Sequence, residues 1–402
     1  MTRPDSRTRR PPGPRGFTLV ELLVVLLILA ILVALLIPAI ASAIRTARGA
    51  AVQAEINSLA TAIKEFQNKY GDTFPSRILI REDGLFNTGI TAQVPSGATA
   101  DITQGQLALR TLTAFRKFWP RAAFSTTGPV WGPGSTQGSA QWYDFNGDGV
   151  FMGNATLGVP PGPWVLQGHE CLVFFLGGIP LRTVDASGNI TLSMTGFSKN
   201  PTNPFMSSVP TAGTNFSSNR NQPFYEFDSN RLQVTLAGPA GIVPGPYVAA
   251  AAVPSLIPGY LDSIASQSTG PNAQNFYAYF SNNNGSGYDP NDFNIDDNRA
   301  TPFEVLDSVH PLPQQFGTTA AFLASPSPNP YTTSASVGAN SGPTFINQQT
   351  FQIISPGVDG VYGIGGQYVA NGTTPLPPLP GTSQNRQIEA DNLTNFHNGK
   401  LE

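Results

Sequence analysis

From Leu22 to Ile37 every residue is apolar, and past Pro38 the run resumes with Ala39, Ile40 and Ala41. About 20 apolar residues at 1.5 Å apiece cover the roughly 30 Å hydrocarbon core of a bilayer. A lone segment at that depth must satisfy its own backbone groups, so it must be a helix. Three details distinguish the stretch from an ordinary anchor. Gly16 is followed at once by Phe17, a single acid, Glu21, stands at the head of the run, and Pro38 sits near its far end. A secretory signal has a shorter apolar region followed by a small-residue cleavage site; here the run is too long and continues into further helical pattern. A carboxylate at the centre of a membrane helix costs about 2.5–3.5 kcal/mol even on insertion scales, so Glu21 calls for a partner.

The segment Gly16-Phe17-Thr18-Leu19-Val20-Glu21 resembles the processing motif of type IV pilins and of type II secretion pseudopilins. The resemblance implies a prepilin peptidase that cuts between Gly16 and Phe17 and methylates the new terminal amine. It also implies that Glu21 pairs with the Phe17 amine of a neighbouring subunit. The partners it brings are prepilin peptidase, other pilin-like subunits joined through their N-terminal helices, and an inner-membrane assembly platform.

Charge sets the orientation. Arg3, Arg7, Arg9, Arg10 and Arg15 lie ahead of the apolar run against one acid, Asp5, so the N-terminus is expected on the cytoplasmic side and the rest outside. The chain's 22 basic and 25 acidic residues become 17 and 24 once residues 1–16 are removed, a net charge of −7. An acidic mature chain argues against a nucleic-acid surface and suits cations.

Beyond Pro38, Val52, Ile56, Leu59, Ile63, Phe66 and Tyr70 recur at spacings of 4, 3, 4, 3 and 4, one apolar stripe. Gly71 and Pro75 end it. One helix is therefore expected from Phe17 to Tyr70, its first half in membrane or filament core and its second against a globular domain, with Pro38 kinking it or freeing backbone. Further on, Leu107–Trp119 reads as a helix closed by Pro120. His169–Leu176 reads as a buried helix or strand, which periodicity does not decide. NITLSM, YEF, LQVTL, FYAYF and TFQII read as short strands between Asn/Pro/Gly/Ser clusters. Residues 322–343 read as an exposed loop.

The fold class expected is α+β and pilin-like: one long N-terminal helix packed on an antiparallel-sheet head with long loops. Residues 1–16 form a leader, 17–44 the membrane or filament-core half, and 45–402 the head. Within the head, 45–71 is the amphipathic half of the helix, 84–350 an enlarged loop-rich region and 350–402 a tail. The head must hold without disulfides, since Cys171 is the only cysteine.

Ca²⁺ is the expected cofactor. The tail resembles the calcium-loop region of the major pseudopilin: Ser355, Gly357, Asp359 and Gly360 form a turn, and Asp391, Asn392, Thr394 and Asn395 follow. The resemblance makes Asp359 and Asp391 the charged ligands. A second candidate rests on residues alone. Asp144, Asn146, Asp148 and Gly149 follow the first half of an EF-hand loop, although Ala155 occupies the twelfth position, where a bidentate Glu belongs. Asx turns account for the same spacing. The run Asp289, Asn291, Asp292, Asn294, Asp296, Asp297 lacks the glycine and reads as a solvated acidic loop.

Enzyme signatures are absent: no G-x-S-x-G, H-E-x-x-H, P-loop or G-x-G-x-x-G occurs. His169, His310 and His397 are scattered, and His169-Glu170-Cys171 reads as packed core. The expected role is a structural filament subunit of a type II secretion or related type IV pilus machine, anchored by one pass in the inner membrane before assembly. The alternatives are a minor or tip pilin whose large head binds a substrate or surface, and a membrane-anchored envelope enzyme with a pilin-type leader.

Overall fold

A computed structural model describes residues 18–87, 104–127, 142–147, 164–184, 190–208, 217–233, 257–264, 275–282, 287–289, 292, 329–333, 344–378 and 386–402. Gly16, Phe17, Asp148, His310 and most of 322–343 lie outside them. The chain divides into two units, residues 1–47 and 48–402.

The first element, α1, is one continuous helix from Leu19 to Tyr70. Pro38 lies inside it and has no N–H, so the Ala34 carbonyl loses its usual donor, yet the helix continues on both sides. Gly71 ends it at φ +80°, its N–H capping the Gln67 carbonyl at 2.7 Å. From Leu19 to Ile44 the large apolar side chains are exposed, and the segment is long and apolar enough to cross a membrane.

In the second unit the stripe read from the sequence is the buried one. Val52, Ile56, Leu59, Ala62, Ile63 and Phe66 are all inside. The Phe66 ring meets Phe74, Phe118, Phe175 and Phe224 at centroid distances of 5.1, 5.2, 5.7 and 5.3 Å. Phe118 ends α2 (Gln104–Phe118), and Phe175 belongs to α3 (Gly168–Gly177). Every residue of α3 is buried, His169 and Glu170 included, which is why its sequence shows no period: a helix buried all round needs no polar face. The His169–Leu176 stretch is thus helical.

The sheets are small. Strand β1 (Ile78–Ile80) pairs antiparallel with β2 (Trp164–Leu166), β3 (Pro180–Val184) forms a hairpin with β4 (Ile190–Met194), and β5 (Leu232–Gln233) pairs antiparallel with β6 (Gly259–Tyr260). Strands β7 (Ala278–Ser281), β8 (Tyr331–Thr332), β9 (Phe351–Ser355), β10 (Gly366–Gln367) and β11 (Leu393–Thr394) build two more. One is antiparallel in the order β11–β9–β7; the other joins β8 and β10 in parallel. The three-stranded sheet separates two apolar clusters. By the two-residue period, Tyr279, Phe351 and Ile353 face the main core with α1 and α3, while Ala278, Phe280 and Ile354 face Tyr331, Tyr362, Tyr368 and Leu401.

Three expectations are corrected. The 322–343 segment is not wholly an exposed loop, because Tyr331 and Thr332 form β8 and are buried. Pairing with β10 and burial in the second cluster override its polar composition. The YEF stretch forms no strand; Tyr225 and Phe227 instead pack ring on ring at 4.8 Å. The acidic run is not simply solvated either. Asp289 accepts from Arg77 Nη2 at 2.5 Å, and Asp292 lies 3.2 Å from Arg77 Nε, both neutralising a fully buried guanidinium. The other acids of that run lie outside the described residues.

Candidate functional site

The helix head comes first. Thr18 stands at the N-cap of α1, and its N–H and hydroxyl both donate to Glu21 Oε2, at 2.8 and 2.9 Å. Its Oγ1 in turn accepts the Glu21 N–H at 3.2 Å. This is a reciprocal capping box, satisfying two backbone donors that a helix start leaves open. The sequence reading assigned Glu21 a partner in another subunit only. The local partner was legible in Thr-x-x-Glu, the spacing of a capping box.

A second cluster was missed altogether. Glu55, on α1 beside the apolar stripe, accepts five hydrogen bonds. Arg231 Nη1 and Nη2 each donate at 2.7 Å, and the hydroxyls of Tyr225, Tyr260 and Tyr277 donate at 3.1, 2.9 and 2.5 Å. Arg231 also lies over the Tyr260 ring, 4.3 Å from its centroid, a cation–π contact. Burial opposes ionisation of Glu55, but the Arg231 guanidinium and the tyrosine hydroxyls outweigh it and hold the carboxyl below its ordinary range. Burial, then the Glu55 charge, pushes the Tyr225 hydroxyl up to about 12. Glu55 directly precedes Ile56 of the stripe, so an acid at the edge of an apolar face was the available signal.

At the tail, the turn after β9 brings Asp359 and Asp391 together. Asp391 Oδ2 accepts the N–H groups of Val358 and Asp359, at 2.6 and 3.1 Å, and Asp359 Oδ1 accepts the Val361 N–H at 2.8 Å. Gly357 is required here. Its φ is +71°, and a Cβ would stand 2.3 Å from the Asp391 carbonyl oxygen. Burial first and the Asp391 charge after it raise the Asp359 pKa, against the pull of the Val361 N–H. Two convergent carboxylates are hard oxygen donors suited to Ca²⁺, and one oxygen of each has no hydrogen bond among the described residues. Those residues contain no group of three acidic, His or Cys side chains placed to hold a metal, so further ligands would have to be carbonyl, amide or water oxygens.

The tail has other fastenings besides. Gln53 on α1 donates to the Thr394 carbonyl at 3.1 Å and accepts the Gly399 N–H at 3.3 Å. Arg386 and Glu389 form a buried pair at 2.6 Å. As for the other calcium candidate, Asp144 and Asn146 are buried beside Tyr143 and Phe145 in the core. Asp148, the third residue of that candidate, lies outside the described residues. His169 packs its ring on Phe276 at 4.8 Å. Cys171 is buried, its thiol directed at the Leu166 carbonyl at 3.6 Å, and burial pushes its pKa well above the usual thiol value. His397 Nδ1 lies 3.0 Å from the Tyr368 hydroxyl.

Residues 13–37 match the family described as the prokaryotic N-terminal methylation motif. No curated protein and no solved structure matches the chain. The matched segment contains Gly16, Phe17 and Glu21 and runs into the apolar half of α1. Motif, long apolar helix and a head of small sheets together have the make-up of a type IV pilin-like protein. The motif implies processing by prepilin peptidase and assembly with other pilin-like subunits, and the helix suggests membrane anchoring.

Proposed function

We propose that the chain is a structural filament subunit, a pseudopilin, of a type II secretion or related type IV pilus machine. Its work is mechanical rather than catalytic. The observation that carries this reading is the apolar half of α1, exposed along its length and headed by one carboxylate within the methylation motif. Such a face needs lipid or other copies of itself to cover it. Before assembly the protein is held by one pass in the inner membrane, N-terminus inward, and an assembly platform draws the trimmed form out. Glu21 then exchanges its neutral Thr18 donors for the charged Phe17 amine of a neighbour, a stronger hydrogen bond in low dielectric.

Two substitutions test this. Gly16→Leu should leave the leader attached and the protein in the membrane, read by intact mass. Glu21→Gln should be trimmed normally and keep a stable head, yet enter filaments poorly beside wild-type subunits. Filaments built from chains still carrying Arg3 to Arg15 would overturn the processing step. Unimpaired incorporation of Glu21→Gln would overturn the pairing.

The tail turn is proposed to take Ca²⁺ through Asp359 and Asp391. The support is the carboxylate pair itself, with Asp359 held in a state that disfavours its charge.

A further inference from the structure

The outer face of α2 and the turn that follows α1 enclose a cavity of about 510 Å³, within the range of ligand pockets. Its wall on α2 carries Arg110, Ala114 and Lys117, spaced 4 and 3, so all three lie on one face of the helix. Leu109 and Phe118 add apolar surface, while Asn282 and Gln349 bring amide groups from the ends of β7 and the approach to β9. The charges are not balanced. Lys117 pairs with Asp72 at 2.6 Å, but both side chains are about half exposed, at 50% and 53%. Such a pair contributes little and exchanges partners easily. Arg110 is half-buried and makes no hydrogen bond or ion pair among the described residues. A guanidinium without an acceptor among the described residues, beside an apolar wall, is a ready anchor for a carboxylate.

We propose that this cleft binds an acidic, extended peptide segment. Arg110 and Lys117 stand two helical turns apart, about 10.5 Å along the axis. A chain in the extended polyproline II conformation rises about 3.1 Å per residue and turns every three, so its residues i and i+3 share one face about 9.3 Å apart. Acids at positions i and i+3 would therefore meet the two cations, with a small or apolar residue over Ala114 and Leu109. The Asn282 and Gln349 amides match the donors and acceptors of peptide bonds, which a simple anion lacks. The cleft uses no part of the methylation motif or of α1's apolar half, so it stands or falls independently of filament assembly.

The test uses the full chain in an uncharged detergent and a short fluorescein-labelled peptide with the core Asp-Leu-Ala-Asp. A control peptide carries Lys in place of both Asp residues. Fluorescence anisotropy should show saturable binding of the acidic peptide that weakens with added salt, and none of the control. Arg110→Gln with Lys117→Gln should weaken binding by about tenfold or more, the effect of losing a charge-assisted contact. Both positions are partly exposed, so the variant should keep its near-ultraviolet circular dichroism. Equal binding to the double variant would overturn the proposal, as would equal binding of the Lys control or no binding at all. Displacement by glutarate at the same concentration as by unlabelled peptide would show a simple carboxylate site and overturn it as well.

Discussion

A carboxylate that receives five hydrogen bonds loosens all of them when it loses its charge, and Glu55 is in that position. It ties α1 to the turn before β5, to β6 and to the residue preceding β7. Glu55→Gln keeps the shape but leaves Arg231 without its counter-charge. Removing one member of such a pair costs more than the pair is worth, because the survivor stays desolvated. The expected loss is about 2–3 kcal/mol, read from chemical denaturation of the full chain in detergent. The pH dependence has a definite sign. Folding lowers the Glu55 pKa, so its stabilisation is complete above the unfolded value of about 4.3 and is lost as pH falls through the lower folded value. The gap between wild type and Glu55→Gln should therefore be wide at neutral pH and narrow in acid. A gap unchanged by acid would remove Glu55 ionisation as the cause.

At the scale of elements, the turn between β9 and β10 makes the opposite kind of demand. Asp359 has a raised pKa, so its ionisation works against folding. Its contribution is most favourable below the ordinary Asp range and is lost as pH rises through the folded value. A bound cation would offset that, and ligand bound only to the folded state adds stability by mass action. Ca²⁺ should raise the melting temperature near neutral pH, EDTA should reverse the rise, and acid should abolish it. Asp359→Asn with Asp391→Asn should remove the calcium response; a full response in that double variant would direct attention to Asp144, Asn146 and Asp148. The elements also show what a sequence discloses. The period of α1 was legible because one face of it meets a core, and β9 because its five residues are buried and apolar-rich. The Asp359–Asp391 approach was legible through family resemblance alone, since more than thirty residues separate them. β8 was not legible. Its two residues gain their structure from β10 and the second cluster, partners distant in sequence that no local pattern announces. The Glu55 cluster was hidden for the same reason, its four partners lying 170 to 222 residues away.

For the whole molecule, the division of labour follows from where apolar surface ends up. The described residues of the second unit bury most of theirs in two clusters on either side of the three-stranded sheet. The first unit leaves its own exposed from Leu19 to Ile44, the face that the proposed anchoring and assembly would cover. Cys171 lies deep within the larger cluster, fully buried in α3. A thiol reacts as its thiolate, and burial here suppresses that form. A maleimide applied to the native protein should therefore leave Cys171 unmodified, while the denatured chain should take up one label per molecule, a contrast read directly by intact mass. The protein is in effect a blank slate for thiol chemistry. A single cysteine engineered on the surface would be its sole reactive handle, so neighbours in an assembled fibre could be crosslinked or labelled site by site without first removing a native residue.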